Sequence, residues 1–196
     1  MGRTWKTMYE NVCGSRRLLE GNILNHTPFV EELARLVKAG DRVLEVGSGS
    51  GVMGWPLAQA GCKVVSLDND RDILYMAGIN IGLLDAGIEL KEGDAFNLPF
   101  ENDSFNLAYS EGLVEHYEDD EVRAILREQL RVSPVVVMGV PLLGCRDIAF
   151  GDERWLTADE WDAILTNFWI ARSVVYNDGT RLVVTMTRGP ADEKPD

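Results

Sequence analysis

Three glycines at alternate positions, Gly47, Gly49 and Gly51, follow the apolar run Val43-Leu44-Glu45-Val46 and precede a helix-like stretch. Glycine permits a tight turn and lets ligand atoms approach the backbone, and free N–H groups at the start of a helix favour an anionic group. The loop from Glu45 to Gly51, with Ser48 inside it, therefore implies a nucleotide-like ligand, although a plain strand-to-helix connection can use the same residues. Asp68 adds to the ligand reading. It ends the next β-rich run about twenty residues after the loop, where a carboxylate can accept hydrogen bonds from both hydroxyls of a ribose. A dinucleotide fingerprint would need glycine at position 52, which is Val52, and Glu45 just before the loop is atypical of that pattern.

A second group of reactive types lies further along. His116 is the best base candidate, because an imidazole titrates near neutral pH; the competing reading is a helix-start histidine satisfied by backbone groups. Glu115 reads as a solvated or capping carboxylate and His26 as a helix-entry residue. The run Asp119-Asp120-Glu121 can suggest a metal, but acids at a helix N-terminus are stabilised by the helix dipole, and no metal site is expected. Cys13, Cys62 and Cys145 are odd in number and lack C-x-x-C spacing, which predicts reduced structural cysteines.

The elements that must position these residues alternate along the chain. Thr27 to Ala39 predicts an amphipathic helix, with Thr27 as N-cap, Pro28 at the first helical position and Gly40 as the stop. Arg42 to Val46 predicts a strand, then the loop, then a helix to about Ala60. Lys63 to Leu67 predicts the next strand, with Asp70 or Asp72 capping a helix through Ile73, Met76, Ala77 and Ile81. Strands near Ile88 to Lys91, Asn106 to Ser110 and Val135 to Val140, with helices over Asp119 to Arg131 and Thr157 to Asn167, continue the alternation. Such a pattern predicts a mostly parallel sheet covered by helices. Ile170 to Tyr176 and Arg181 to Thr187 flank Asn177-Asp178-Gly179, which predicts a closing antiparallel hairpin.

Composition bounds the rest. A length of 196 residues suits one α/β domain, here expected over residues 1–188, with residues 1–26 as an N-terminal lid or helix and residues 189–196 as a frayed tail. The formal net charge of −13, from 32 acidic and 19 basic side chains, disfavours a polyphosphate partner, so nucleic acid is not expected. Neither a signal-type h-region nor a membrane-length apolar stretch is present, which predicts a soluble cytoplasmic protein with no membrane partner.

Val43 to Gly51 resembles motif I of the class I S-adenosylmethionine-dependent methyltransferases, and Val65-Ser66-Leu67-Asp68-Asn69 resembles motif II. Gly93-Asp94-Ala95-Phe96-Asn97-Leu98-Pro99-Phe100 is similar to the adenine-contacting motif III. Phe105 to Ser110, followed by Glu111-Gly112-Leu113-Val114-Glu115-His116, resembles motif IV and its continuation. Gly151 to Thr157 is similar to the segment before the last helix in the small-molecule branch, of the methyltransferase type 11-like kind. The resemblance runs over roughly residues 40 to 187 in the right order.

It implies a Rossmann-like three-layer sandwich with a mostly parallel seven-stranded sheet and an antiparallel C-terminal hairpin strand, and S-adenosyl-L-methionine as cofactor. On the same basis Gly47, Ser48, Gly49 and Gly51 would line the methionine and ribose part, with Glu45 organising the loop from beneath. Asp68 would hold the ribose hydroxyls and Asn69 would lie against the adenine. Asp94 and the Ala95 N–H would meet the adenine edge, and Ser110 and Glu111 would sit beside the methionine moiety. Trp5 and Tyr9 fall where the family often places a lid, and Trp155, Trp161 and Trp169 line an acceptor pocket or pack the core.

The absence of a large inserted substrate domain favours a small-molecule acceptor, handled by a monomer or homodimer. A nucleobase amino-methyltransferase would be expected to carry an Asn/Asp-Pro-Pro-aromatic cluster where this chain has Ser110-Glu111-Gly112-Leu113. A protein acceptor, or a non-catalytic S-adenosylmethionine-binding domain, is the alternative.

Overall fold

The computed structural model describes residues 9–10, 13–145 and 152–189. The chain divides into two compact units, residues 1–95 and 96–196.

In the first unit, helices α1 (Arg16–Asn25) and α2 (Thr27–Leu36) lead into β1 (Arg42–Val46), the short helix α3 (Trp55–Gln59), β2 (Lys63–Asp68), α4 (Arg71–Leu83) and β3 (Ile88–Glu92). The strands run parallel in the order β3-β2-β1, with Val46 opposite Leu67 and Asp68 opposite Glu92. β1 and β2 are buried along nearly their whole length, as their β-branched and leucine residues favour, whereas β3 is mostly exposed. Asp70 caps α4, its carboxylate accepting from the Asp72 and Ile73 N–H groups. Val52, Leu19, Ile81, Leu84 and Ala86 form one apolar cluster. Within it Asn80 is fully buried and satisfied at both ends: its Nδ2 donates to the Ser50 carbonyl at 2.9 Å, and its Oδ1 accepts from the Gly14 N–H at 2.9 Å.

Two helices depart from expectation. The first helical residue of α2 is Thr27 and the N-cap is His26, whose Nδ1 lies 2.8 Å from the Asn22 carbonyl; Val37 is already extended, so the helix stops before Ala39. The helix after the glycine loop begins only at Trp55 and spans five residues, with Pro56 in its first turn. Val52, Met53 and Gly54, read from sequence as helical, form a turn instead.

In the second unit, β4 (Leu107–Glu111) is followed by a single 3₁₀ turn (Val114–His116), α5 (Asp119–Val132), β5 (Val135–Pro141), α6 (Ala158–Ile164), β6 (Trp169–Tyr176) and β7 (Arg181–Thr187). Their order is β4-β5-β7-β6; β4 and β5 are parallel, and β7 runs antiparallel to both neighbours. The hairpin turns through left-handed Asn177, Asp178 and Gly179, with φ of 49°, 54° and 84°. Capping boxes start α5 (Glu118 with Glu121) and α6 (Thr157 with Glu160). The predicted mostly parallel, seven-stranded mixed sheet with antiparallel C-terminal pairing is thus present.

Among the described residues Cys13, Cys62 and Cys145 form no disulfide. Among the described residues no helix is long and apolar enough to cross a membrane. Residues 190–196, expected as a tail, and Trp5 lie outside the described residues.

Candidate functional site

The glycine loop of the first unit is built on the carbonyl of Leu67. The N–H groups of Gly47 and Ser48 both donate to it, at 2.8 and 3.0 Å, and the Gly51 N–H turns back to the Ser48 carbonyl at 2.7 Å. Gly47, Gly49 and Gly51 have φ of 80°, 48° and 74°, the left-handed region that the G-x-G-x-G spacing required. Those donors are committed to the loop itself, and a five-residue helix offers no anion site, so the anion-binding part of the sequence reading does not carry over. The loop instead prepares a carboxylate. Asp68 Oδ2 accepts from the Gly49 N–H at 3.3 Å and the Ser48 hydroxyl at 3.5 Å, and Oδ1 accepts from the Asp70 N–H at 3.0 Å.

Burial pushes the Asp68 carboxyl above the ordinary carboxylate range, while the N–H groups of Asp70 and Gly49 pull it back. Two of its three bonds are long, and an ionised carboxylate has about four acceptor positions, so it retains the capacity to receive hydroxyl donors.

The remaining predicted residues of this unit fall in distinct settings. Glu45 is 3% exposed in β1 and accepts from the Ser66 hydroxyl on β2, which ties it to the neighbouring strand. Gly51 is glycine for a packing reason: a Cβ there would lie 2.8 Å from the Ala77 Cβ on α4. Gly49 faces the N-terminal segment, because a Cβ at this position would overlap the Tyr9 hydroxyl. Asn69 and Asp94 are exposed and Ala95 is half-buried, just beyond the ends of β2 and β3.

The second unit gathers a different chemistry at the carboxyl end of β4. Ser110 is 1% exposed and accepts from Gln129 Nε2 on α5 at 3.3 Å, which ties one acceptor position of its hydroxyl to the helix. Glu111 pairs with Arg181 at 2.9 Å, in a setting where both side chains are largely buried. Glu115, expected to be solvated or a cap, is neither. It is 3% exposed, its Oε2 has no hydrogen-bond partner among the described residues, and burial reinforced by Glu111 and Glu153 pushes its carboxyl up to about 8 despite Arg181. The 3₁₀ turn forces it inward by placing Val114 and Glu115 together on the buried side.

His116, 10% exposed at its side chain, has Nδ1 2.7 Å from Asp152 Oδ1 and Nε2 3.9 Å from Glu115 Oε1. The acidic run behaves as expected at a helix start: Asp119 pairs with Arg154, Asp120 with Arg123, and Glu121 closes the capping box. Trp161 is core, while Trp155 and Trp169 are half-buried.

Sequence reading missed Asp152, Arg154 and Arg181. The segment before α6 is fastened to the 3₁₀ turn through Arg154. Its N–H donates to the Glu115 carbonyl at 2.9 Å, and its guanidinium donates to the Tyr117 carbonyl at 2.6 Å and to Asp119 at 2.5 Å. His116, Asp152 and Glu153 also bring one ligand-type atom each within 4.8 Å of one another, a grouping not foreseen from the chain.

Comparison with known proteins bears on both units. A family model described as a methyltransferase domain matches residues 43–133. The chain is 36% identical over 104 residues to a demethylmenaquinone methyltransferase of Paenarthrobacter aurescens, covering 50% of this chain and 36% of that protein. It is 39% identical over 79 residues to the ribosomal RNA small subunit methyltransferase A of Anaeromyxobacter dehalogenans, covering 39% and 27%. These matches span about a third of the length of the curated relatives.

Among solved structures, the PH0226 protein of Pyrococcus horikoshii superposes with a TM-score of 0.71 at 16% identity, over 89% of this chain and 92% of that one. A SAM-dependent methyltransferase from Aquifex aeolicus gives 0.63 at 19% identity, over 80% and 87%. The family model for a methyltransferase domain spans the stretch that holds the glycine loop, its carboxylate and the β4 end, and the solved structures share the fold around it.

Proposed function

We propose that this chain binds S-adenosylmethionine at the glycine loop and transfers its methyl group to a small-molecule acceptor. The observation that carries the reading is the Asp68 carboxylate, fixed by Gly49, Ser48 and Asp70 at the carboxyl end of β2, where open α/β sheets bind their ligands. It suits a ribose diol. Asn69, Asp94 and Ala95 follow the ends of β2 and β3 and supply the polar edge expected around an adenine. Bound cofactor supplies a sulfonium-activated methyl group, so the protein's share is alignment and, for acceptors bearing a proton, a base. His116 is that base in this reading.

A small acceptor accords with the short insertions between elements and with a net charge of −13, which repels polyphosphate. One relative is named for ribosomal RNA, so charge alone does not dismiss RNA, and an RNA acceptor is the second reading.

Calorimetric titration with S-adenosylmethionine and its demethylated product tests the first step. Wild type binds both, and Asp68→Asn weakens each by about 10- to 100-fold, the range for a buried hydrogen-bonded carboxylate. Affinity is retained where Asp68 is ionised and is lost as pH falls through its raised folded-state value. Absence of wild-type binding refutes the reading. Release of demethylated product with small phenols, amines or quinols, but not with ribosomal RNA fragments, then separates the acceptor classes.

A further inference from the structure

We propose that Asp152 is a positioning residue which holds His116 in its Nδ1–H form, so that Nε2 is the proton acceptor for the methyl acceptor. This rests on the methyl-transfer reading above and deepens it. The Nδ1 to Oδ1 distance is 2.7 Å, and a carboxylate oxygen in that position accepts. Nδ1 must therefore donate, and the lone pair of the neutral ring resides on Nε2.

Two further observations make this pair a built arrangement. Arg154, two residues beyond Asp152, fastens that segment to the His116 turn by its N–H and both ends of its guanidinium, which fixes the carboxylate beside the ring. Nε2 lies 3.9 Å from Oε1 of the buried Glu115, a carboxyl held protonated near neutrality by its burial, so Glu115 does not put a full negative charge against that nitrogen. Glu115 and His116 lie just after β4, at the strand end where ligands of such sheets bind.

The acceptor lone pair forms the bond to the methyl carbon, and the carbon–sulfur pair stays on the sulfur of the sulfonium donor. The acceptor proton passes to Nε2, whose lone pair becomes the new N–H bond. The resulting imidazolium is stabilised by the Asp152 carboxylate at Nδ1.

The chain has two histidines, so long-range ¹⁵N–¹H spectra of the labelled full chain contain two imidazoles, and His116→Gln assigns them. Wild type is expected to show neutral His116 as the Nδ1–H tautomer, and Asp152→Ala to shift it toward the Nε2–H form with the rest of the spectrum unchanged. Either substitution lowers kcat by about tenfold or more, with little change in KM, on an acceptor that must lose a proton.

An Nε2–H or mixed tautomer in wild type overturns the proposal, as does full turnover in Asp152→Ala. Stoichiometric Zn²⁺ or Mn²⁺ binding that is lost in both variants would make His116, Asp152 and Glu153 a metal centre and overturn it too. The tautomer is read without cofactor, so its failure is distinct from a failure to bind S-adenosylmethionine.

Discussion

Replacing Glu115 by glutamine should make this protein more stable at neutral pH and leave it unchanged in mild acid. The side chain is 3% exposed with one oxygen unpartnered among the described residues, and its carboxyl is pushed from an ordinary 4.5 to about 8. Below the ordinary value, folded and unfolded chains both hold the proton and nothing is lost. Between the two values the unfolded chain releases the proton while the folded chain keeps it, so stability falls as pH rises, by about 1.4 kcal/mol per pH unit.

The accumulated loss is on the order of 3 kcal/mol near pH 7 and on the order of 5 kcal/mol once pH passes the folded-state value. Glu115→Gln keeps the shape and removes the titration. Urea unfolding followed by tryptophan fluorescence, in steps from about pH 4.5 to pH 8.5, gives the wild-type-minus-variant difference, in which all other titrating groups cancel. The curves should meet at the acid end and diverge steadily above it. Parallel curves across the range would refute the assignment of a buried, proton-holding carboxyl.

Gly51→Ala places a Cβ 2.8 Å from Ala77 Cβ at a φ of 74°, and should cost about 2–4 kcal/mol in chemical unfolding; Ala77→Gly in the same chain should return the steric part but not the backbone part. Asn80→Leu leaves the Ser50 carbonyl and the Gly14 N–H without their buried partner. It should cost about 2–4 kcal/mol and speed amide exchange in residues 47–51.

The fold was legible wherever local chemistry and burial agree. Val43 to Val46 and Lys63 to Leu67 read as strands because β-branched and leucine side chains fill a doubly covered sheet, and Asp70 read as a cap because its carboxylate serves the next N–H groups. The contact of Asp68 with the glycine loop was legible for the same reason: strand end, loop and acid sit close along the chain. Groups made by distant segments were not. Asp152 lies 36 residues from His116, and Arg181 lies 70 from Glu111, so no periodicity links them. Glu115 was misread because a three-residue turn has no repeating pattern, and its inward direction follows from the turn itself. Gly51 was assigned to the ligand, and its close packing on Ala77 was not visible because that contact joins the loop to α4, a helix beyond β2.

The pinning of the glycine loop to Leu67 has a thermodynamic consequence. Because Gly47 and Ser48 donate to a carbonyl of the strand that pairs with β1, the loop is ordered by the same event that forms the sheet. Its conformational entropy is lost during folding rather than on ligand binding. Under the proposed function, an incoming S-adenosylmethionine meets a preorganised cradle. Substitutions that loosen the Leu67 hold would weaken binding by raising the entropic cost of association, even where no atom touching the ligand has changed.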